Sequence, residues 1–322
     1  MDINQELKEN IKKLLKDKKV DLVIGYGRGT KPLTSTPIFI DDEKKVDDLI
    51  FDLTCWNNLA TYFTKDKKKI HKDHKKIGII AKGCDGRSIV LYIAEKQIKR
   101  EDVFIIGVPC HGVIDRKKLK NKLRNKEILK YKIENEEVIV EGRDFAQTLQ
   151  KQDILADSCL SCKYPNPPEY DIFIGESAKQ ISKTDEFEIV DEFEKMSSDE
   201  RWEYMKNEFS KCIRCYACRN ACPSCYCNEC FVDQNNPQWF GKSPDFSDTM
   251  IFHLIRVLHI AGRCVDCGAC VSACPLGINL RILNKKVEKE VRERFNDIAG
   301  LSIESKPAMS IFDENDKQEF IL

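Results

Sequence analysis

The sequence predicts an α/β domain with a mostly parallel sheet over residues 1–178, followed by a smaller, mainly α-helical domain over residues 211–285. Three observations carry that expectation. Short apolar runs alternate with helical patterns through the first half. Eleven of the sixteen cysteines then fall between Cys212 and Cys274. Those cysteines include two runs of the same spacing, placed on either side of one apolar helix.

Taken in order, Glu6–Lys18 reads as a helix, with Leu7, Ile11, Leu14 and Leu15 at helical spacing. Val20–Ile24 is an apolar run ending at Gly25, a strand. Gly25-Tyr26-Gly27-Arg28-Gly29-Thr30 reads as a turn, because Thr30 stands where a dinucleotide fingerprint needs its third glycine. Pro32 also follows too soon for a helix to cradle phosphate. Ile77–Ala81 is a second strand, leading through Lys82-Gly83-Cys84-Asp85-Gly86 into a helix over Ser88–Ile98. Val103–Val108 is a third strand, ending in Pro109-Cys110, and a basic helix follows from about Asp115 to Lys126. Tyr131–Ile133 and Val138–Val140 alternate around a polar turn, a hairpin pattern.

Residues 179–210 are charged and read as a linker with one helix leading into the next domain. Ser197 with Glu200 forms a capping box opening that helix, Ser198–Lys211. Thr249–Ala261 is strongly apolar and is expected to be buried, with His253 and His259 as satisfied core residues. Residues 286–322 begin helical and end extended. Met309, Ile311, Phe312, Phe320 and Ile321 there are isolated apolar residues suited to docking on a partner or to a frayed end.

Composition narrows the class. The 322 residues suit two domains or three small ones, with 53 basic and 53 acidic side chains. A net charge of zero argues against nucleic acid as the main partner. Mean hydropathy is −0.44, and no apolar run approaches a membrane span. The charged start, MDINQELKEN, lacks the apolar core of a secretory signal. A cytoplasmic location is therefore expected. Sixteen cysteines in a reducing compartment point to metal or iron–sulfur ligation rather than disulfides.

Cys212-x2-Cys215-x2-Cys218-x3-Cys222-Pro223 is the bacterial ferredoxin run, and it recurs as Cys264-x2-Cys267-x2-Cys270-x3-Cys274-Pro275. Three closely spaced thiolates wrap one [4Fe-4S] cubane, while the fourth, before proline, turns away to the other. Cluster A thus takes Cys212, Cys215, Cys218 and Cys274. Cluster B takes Cys264, Cys267, Cys270 and Cys222. Zinc also uses Cys-x2-Cys pairs, but rarely this run twice with proline after each. The long gap and its apolar helix favour a helical dicluster ferredoxin domain over the compact βαβ type.

Cys84 and Cys110 each follow the C-terminal end of a predicted strand, where open α/β sheets place ligands. With the pair Cys159-x2-Cys162 they make a third quartet, cluster C; buried apolar cysteines are the alternative reading of Cys84 and Cys110. Cys225-x-Cys227-x2-Cys230 leaves three thiolates, and Cys55 is the one cysteine remaining. Counting alone suggests cluster D from Cys55, Cys225, Cys227 and Cys230, against a structural role for these extras.

These motifs resemble the β subunits of F420-reducing hydrogenase and F420-dependent formate dehydrogenase, above all those working beside heterodisulfide-reductase-type flavoproteins. The resemblance covers most of the chain. It rests on Lys82-Gly83-Cys84-Asp85, Gly107-Val108-Pro109-Cys110-His111-Gly112, Cys159-x2-Cys162 before Asp171-Ile172-Phe173-Ile174-Gly175, and Lys211 through Cys230. It implies a cubane at the scattered quartet, near a flavin. It also implies Cys55 together with the ferredoxin domain, the pattern cluster D requires. One departure concerns FAD: members that bind it carry paired glycines ahead of the first strand, where this chain has a charged helix and no Gly-Gly before Val20.

Other candidates are weaker. Lys82 and Arg87 flank Cys84 and are candidates to balance cluster charge or bind a flavin phosphate, with surface solvation as the alternative. His111 is a candidate to hydrogen-bond a cluster sulfide, or simply to cap a turn. His71 and His74 sit in a Lys-rich loop and read as solvated. No Ser/His/Asp set or carboxylate pair suggests hydrolysis. The expected function is an iron–sulfur electron-transfer subunit relaying single electrons between a dehydrogenase or hydrogenase-type catalytic subunit and a heterodisulfide-reductase-type flavoprotein or similar acceptor. The alternative is an FAD-containing F420 or NAD(P) oxidoreductase subunit.

Overall fold

The computed structural model describes residues 2–65, 76–134, 136–180, 185–239, 241–308 and 314. His71, His74 and the apolar residues of the tail from Met309 onward lie outside the described residues. The chain divides into two compact units, Met1–Gly86 with Ile98–Lys183, and Arg87–Gln97 with Thr184–Leu322.

In the first unit, α1 (Ile3–Lys16) buries Leu7, Ile11 and Leu14, and the Asp2 side chain caps it by accepting from the Asn4 N–H. The main sheet contains β1 (Leu22–Arg28), β2 (Ser35–Ile40), β3 (Ile77–Ala81), β4 (Val103–Gly107) and a two-residue strand, Ile172–Phe173. Their order is β2-β1-β3-β4 and then Ile172–Phe173. All neighbours are parallel except β1 and β2. Near-continuous burial along β1, β3 and β4 is what a parallel sheet covered on both faces requires.

The glycine-rich stretch read as a turn is a strand through Arg28. Gly25 and Gly27 admit close neighbours: a Cβ on Gly25 would stand 3.0 Å from Leu49 Cδ1, and one on Gly27 would stand 2.8 Å from Ile38 Cγ2. The turn itself begins one residue later, where the Gly29 N–H donates to the Thr34 carbonyl. β2 was not legible because Pro37 interrupts its pattern, but the strand lies on the sheet edge, where proline is tolerated.

The helix after β3, α2 (Gly83–Ala94), starts five residues earlier than its apolar pattern suggests, so Cys84 lies in its first turn. Its residues Gly83–Gly86 count with the first unit and Arg87–Ala94 with the second. The basic helix α3 (Arg116–Lys122) packs Leu119 against Val138 and Val140 of an antiparallel sheet. That sheet contains the expected hairpin, Lys130–Glu134 with Glu137–Glu141, plus a third strand, Ala146–Gln150.

The described residues of the second unit form helices and no strand. α4 (Glu188–Lys195) lies in the stretch read as linker and buries Val190 and Phe193. α5 (Ser198–Phe209) carries the expected capping box between Ser197 and Glu200. Two five-residue helices, α6 (Ala217–Ala221) and α8 (Ala269–Ala273), pack on each other. Between them in sequence runs α7 (Phe246–His259), and α9 (Arg281–Phe295) follows. The apolar helix α7 is not buried all round: Ile251, Leu254 and Leu258 face outward, and so does His259, edge-on to Phe231. No helix among the described residues is long and apolar enough to cross a membrane.

Candidate iron–sulfur centres

The two cysteine runs follow the same backbone path. Arg214 and Tyr216 in the first, and Asp266 and Gly268 at the matching positions of the second, all have positive φ, between 51° and 69°. Left-handed residues between right-handed ones turn successive backbone N–H groups into a concavity suited to anions, a geometry common at iron–sulfur sites. One such contact is visible: the Arg214 N–H donates to Cys212 Sγ at 3.4 Å. Three of the four residues are not glycine, so neighbours must hold the strained backbone. Arg214 is fixed by donating to the carbonyls of Gly241 (2.7 Å) and Ser243 (2.8 Å) and to Tyr216 Oη. Asp266 accepts a bidentate pair from Arg281 at 2.8 and 2.7 Å, with buried Lys285 at 3.7 Å.

The third cysteine of each run lies in α6 or α8, and the fourth caps that helix in an extended conformation. Because the two short helices pack together, each fourth cysteine is delivered across. One cavity is lined by Cys212, Cys215, Cys218 and Cys274, with Phe252 and His253. A second is lined by Cys264, Cys267, Cys270 and Cys222, with Arg281 and Asn284. Among the described residues, no three His, Cys, Asp or Glu side chains converge to hold one bare ion.

The polar atoms around these cavities fit an anionic sulfur-rich group. His253 is buried and stacked on Phe209, with ring centroids 4.5 Å apart, and neither ring nitrogen has a hydrogen-bond partner among the described residues. It is therefore not the satisfied core histidine expected from sequence. Burial, then the nearby Arg256 and Arg214 charges, pull its pKa down to about 3, so the ring is neutral and carries one unused N–H. Asn284 Nδ2 donates to Cys270 Sγ at 3.6 Å. Arg256, also buried, leaves Nε and Nη1 without partners. Burial pushes the Cys218 thiol up to about 11, and it raises Cys212, Cys264 and Cys270 as well. Ligation deprotonates thiols, so filling the cavities releases protons.

In the first unit, backbone contacts bring the segments carrying Cys84, Cys110, Cys159 and Cys162 near one another. The Pro165 carbonyl accepts from both the Gly83 N–H (3.3 Å) and the Cys110 N–H (3.2 Å). That one oxygen ties the turns after β3 and β4 to the loop behind Cys159 and Cys162. Cys110, Cys159 and Cys162 lie within electrostatic reach of one another, and Lys82 within reach of Cys84 and Cys110. Burial pushes Cys110 up to about 11. A Cβ on Gly83 would stand 1.8 Å from the Tyr164 carbonyl oxygen. Gly83→Ala is therefore expected to destabilise the first unit by about 1–3 kcal/mol, read by thermal unfolding; an unchanged transition would contradict this packing.

Lys82 and Arg87 are both buried, which excludes surface solvation. Lys82 Nζ donates to Tyr26 Oη and to the Cys55 (2.8 Å) and Asn57 (2.9 Å) carbonyls, and pairs with Asp85 at 3.1 Å. Burial opposes its charge, but Asp85, with Tyr26, Cys84 and Cys110 adding to it, outweighs burial and holds the pKa well above the ordinary value. Arg87 donates to the Ala299 carbonyl (2.9 Å) and to that of Val265 (3.3 Å) in the second cavity's wall. His111 is exposed beside half-buried Cys110. Cys55 is fully buried, with its thiol pushed up to about 12 by burial and then by Asp52. In the second unit, Cys225 and Cys230 are half-buried and Cys227 is exposed.

Sequence reading missed Arg256, Asn284 and the Asp266–Arg281–Lys285 set. A signal existed for the first: Arg256 is a lone cation in an apolar helix.

The family described as the C-terminal part of the coenzyme F420 hydrogenase/dehydrogenase beta chain matches residues 74–227, and a 4Fe-4S binding domain matches residues 257–278. F420-dependent formate dehydrogenase subunit beta of Methanocaldococcus jannaschii is 26% identical, covering 93% of this chain and 92% of that protein. F420-dependent formate dehydrogenase 1 subunit beta of Methanococcus maripaludis is 25% identical, covering 90% and 89%. A chain from the xenon-derivatised F420-reducing [NiFe] hydrogenase complex of Methanosarcina barkeri matches with a TM-score of 0.39 and 16% identity, over 51% of this chain and 62% of that one.

Proposed function

We propose that this chain, similar to the coenzyme F420 hydrogenase/dehydrogenase β subunits, is one of that family and an electron-transfer subunit of an oxidoreductase complex. The observation that carries this reading is the pair of cavities, each lined by four cysteines drawn from both runs. Bound [4Fe-4S] clusters supply one-electron exchange without bond chemistry. The residues of this chain do the remaining work. Cys212, Cys215, Cys218 and Cys274 hold one cluster, and Cys264, Cys267, Cys270 and Cys222 the other, in a helical dicluster domain. Cys84, Cys110, Cys159 and Cys162 hold a third, a reading supported by the Pro165 carbonyl that ties the turns before Cys84 and at Cys110 to one loop. Arg214, Asp266, Arg281 and Lys285 keep the ligating backbone in its strained shape, and the apolar walls exclude water. Ile213 and Leu276, both exposed, rim the first cavity together with Cys215, a place for electrons to enter or leave.

The partners in this reading are a dehydrogenase or hydrogenase-type catalytic subunit and a heterodisulfide-reductase-type flavoprotein or similar acceptor. A second reading, an FAD-containing oxidoreductase acting on F420 or NAD(P), is favoured by the F420-dependent activity in the names of the relatives. Extractable flavin, with bleaching of the protein by F420H2 or NADH, would select that second reading.

Iron and acid-labile sulfide per chain, counted after anaerobic purification, test the proposal. Three clusters give about 12 iron atoms and two give about 8. A fourth quartet, which rests on the cysteine count and the pattern the resemblance implies, would bring the total to about 16. Cys55→Ala tests that quartet directly: unchanged iron would overturn it. A colourless chain holding zinc would overturn the electron-transfer reading as a whole.

A further inference from the structure

Arg256 lies on the buried side of α7, the helix between the two cysteine runs, and is 3% exposed. Its Nη2 donates to the Cys218 carbonyl at 3.4 Å, and its charge lies within reach of the Cys270 thiol. Nε and Nη1 have no hydrogen-bond partner, and no carboxylate among the described residues pairs with it. The sulfurs of Cys222, Cys270, Cys225 and Cys218 lie within electrostatic reach of it, and so does the neutral ring of His253. Cys218 belongs to the first cavity, and Cys222 and Cys270 to the second.

A buried guanidinium without a carboxylate is unfavourable unless some other anion meets it. Neutral thiols do little for it. Thiolates and sulfides around iron supply the missing negative charge, and they supply it from both sides.

The geometry points to Arg256 as the shared counter-charge of the two clusters, a fixed cation between their ligands that raises the reduction potential of both. This inference rests on reading the two cavities as cluster sites. Reduction adds one electron and hence one negative charge to a cluster. A cation held nearby in a poorly screened interior stabilises the reduced form more than the oxidised one. Guanidinium stays protonated at every accessible pH, so the effect is permanent rather than a switch. A single charge within reach of ligands of both sites also keeps their potentials moving together, which suits electron passage between them.

The test is an EPR-monitored redox titration of the full-length chain, with iron and sulfide counted on the same samples. The two signals of interest are those lost in Cys212→Ala and in Cys264→Ala. Arg256→Met should keep its iron while both signals move to lower potential. At the native midpoint, the reduced-to-oxidised ratio should fall about tenfold or more, which is about 59 mV for a one-electron couple. Arg256→Lys keeps the charge and should move both by less than that. Full iron with unmoved potentials in Arg256→Met would overturn the inference, and so would Arg256→Lys shifting as far as Arg256→Met. If Arg256→Met loses its iron, Arg256→Lys decides: full iron and near-native potentials support the charge role, and empty cavities overturn it. An unsubstituted chain without iron would overturn the cluster reading itself.

Discussion

Replacing Cys274 with alanine is expected to remove the same roughly four iron atoms per chain as replacing Cys212, although the two residues belong to different runs. Cys222→Ala should likewise match Cys264→Ala. The expectation follows from the cavities: Cys274 lines the one built by Cys212, Cys215 and Cys218, and Cys222 lines the one built by Cys264, Cys267 and Cys270. Double variants make the test sharp. Cys212→Ala with Cys274→Ala should lose no more iron than either alone, because both cut the same site. Cys212→Ala with Cys222→Ala should lose about eight irons, because each cuts a different one. If each run instead closed on itself, the two double variants would exchange results. Iron analysis and EPR on the four single and two double variants separate the outcomes, and oxygen-free handling keeps adventitious loss out of the comparison.

Lys82→Met should destabilise the first unit by about 3–5 kcal/mol, the usual consequence of removing one partner from a buried ion pair. Asp85 would be left fully buried and charged, still accepting from the Leu59 N–H at 2.7 Å and the Lys82 N–H at 3.0 Å. The Cys55 and Asn57 carbonyls and the Tyr26 hydroxyl would each lose a donor as well. Adding Asp85→Asn to Lys82→Met removes the stranded charge, while the amide oxygen still accepts from one of the two N–H groups. That double variant should recover part of the loss. Chemical unfolding of the three proteins reads the effect, and a Lys82→Met chain within about 0.5 kcal/mol of the original would show the pair to be unimportant to stability. The lysine also sits within electrostatic reach of Cys84 and Cys110. Iron content of Lys82→Met therefore reports whether the fold around the third quartet survives.

Much of the architecture was open to a reader of the chain. The strands Leu22–Arg28, Ile77–Ala81 and Val103–Gly107 and the helices α1, α5 and α7 arise from local periodicity and capping, which are properties of neighbouring residues. What local pattern could not give was pairing. The Gly25–Arg28 segment reads as a turn until Ser35–Ile40 lies beside it. α4 reads as linker because only Val190 and Phe193 of its eight residues are buried.

The sequence by itself determined which thiols can share a site, because Cys-x2-Cys-x2-Cys-x3-Cys-Pro fixes what three neighbouring ligands and one departing ligand can reach. Only the tertiary structure decided what surrounds them. Lys82 and Arg87 carry the charge of surface residues, and nothing in their immediate neighbours says that they are buried; Arg256, a lone cation in an apolar helix, hints at burial but not at the groups it meets. His253 carries the pattern of a core residue, and nothing local says that its nitrogens lack partners. Burial and hydrogen-bond satisfaction depend on groups far away in the chain: Asp85 with Tyr26 for Lys82, Val265 and Ala299 for Arg87, and the cysteines of both cavities for Arg256. Spacing is a short-range property and can be read along the chain, whereas the electrostatic environment of a site is the sum of long-range packing and exists only once the chain has folded.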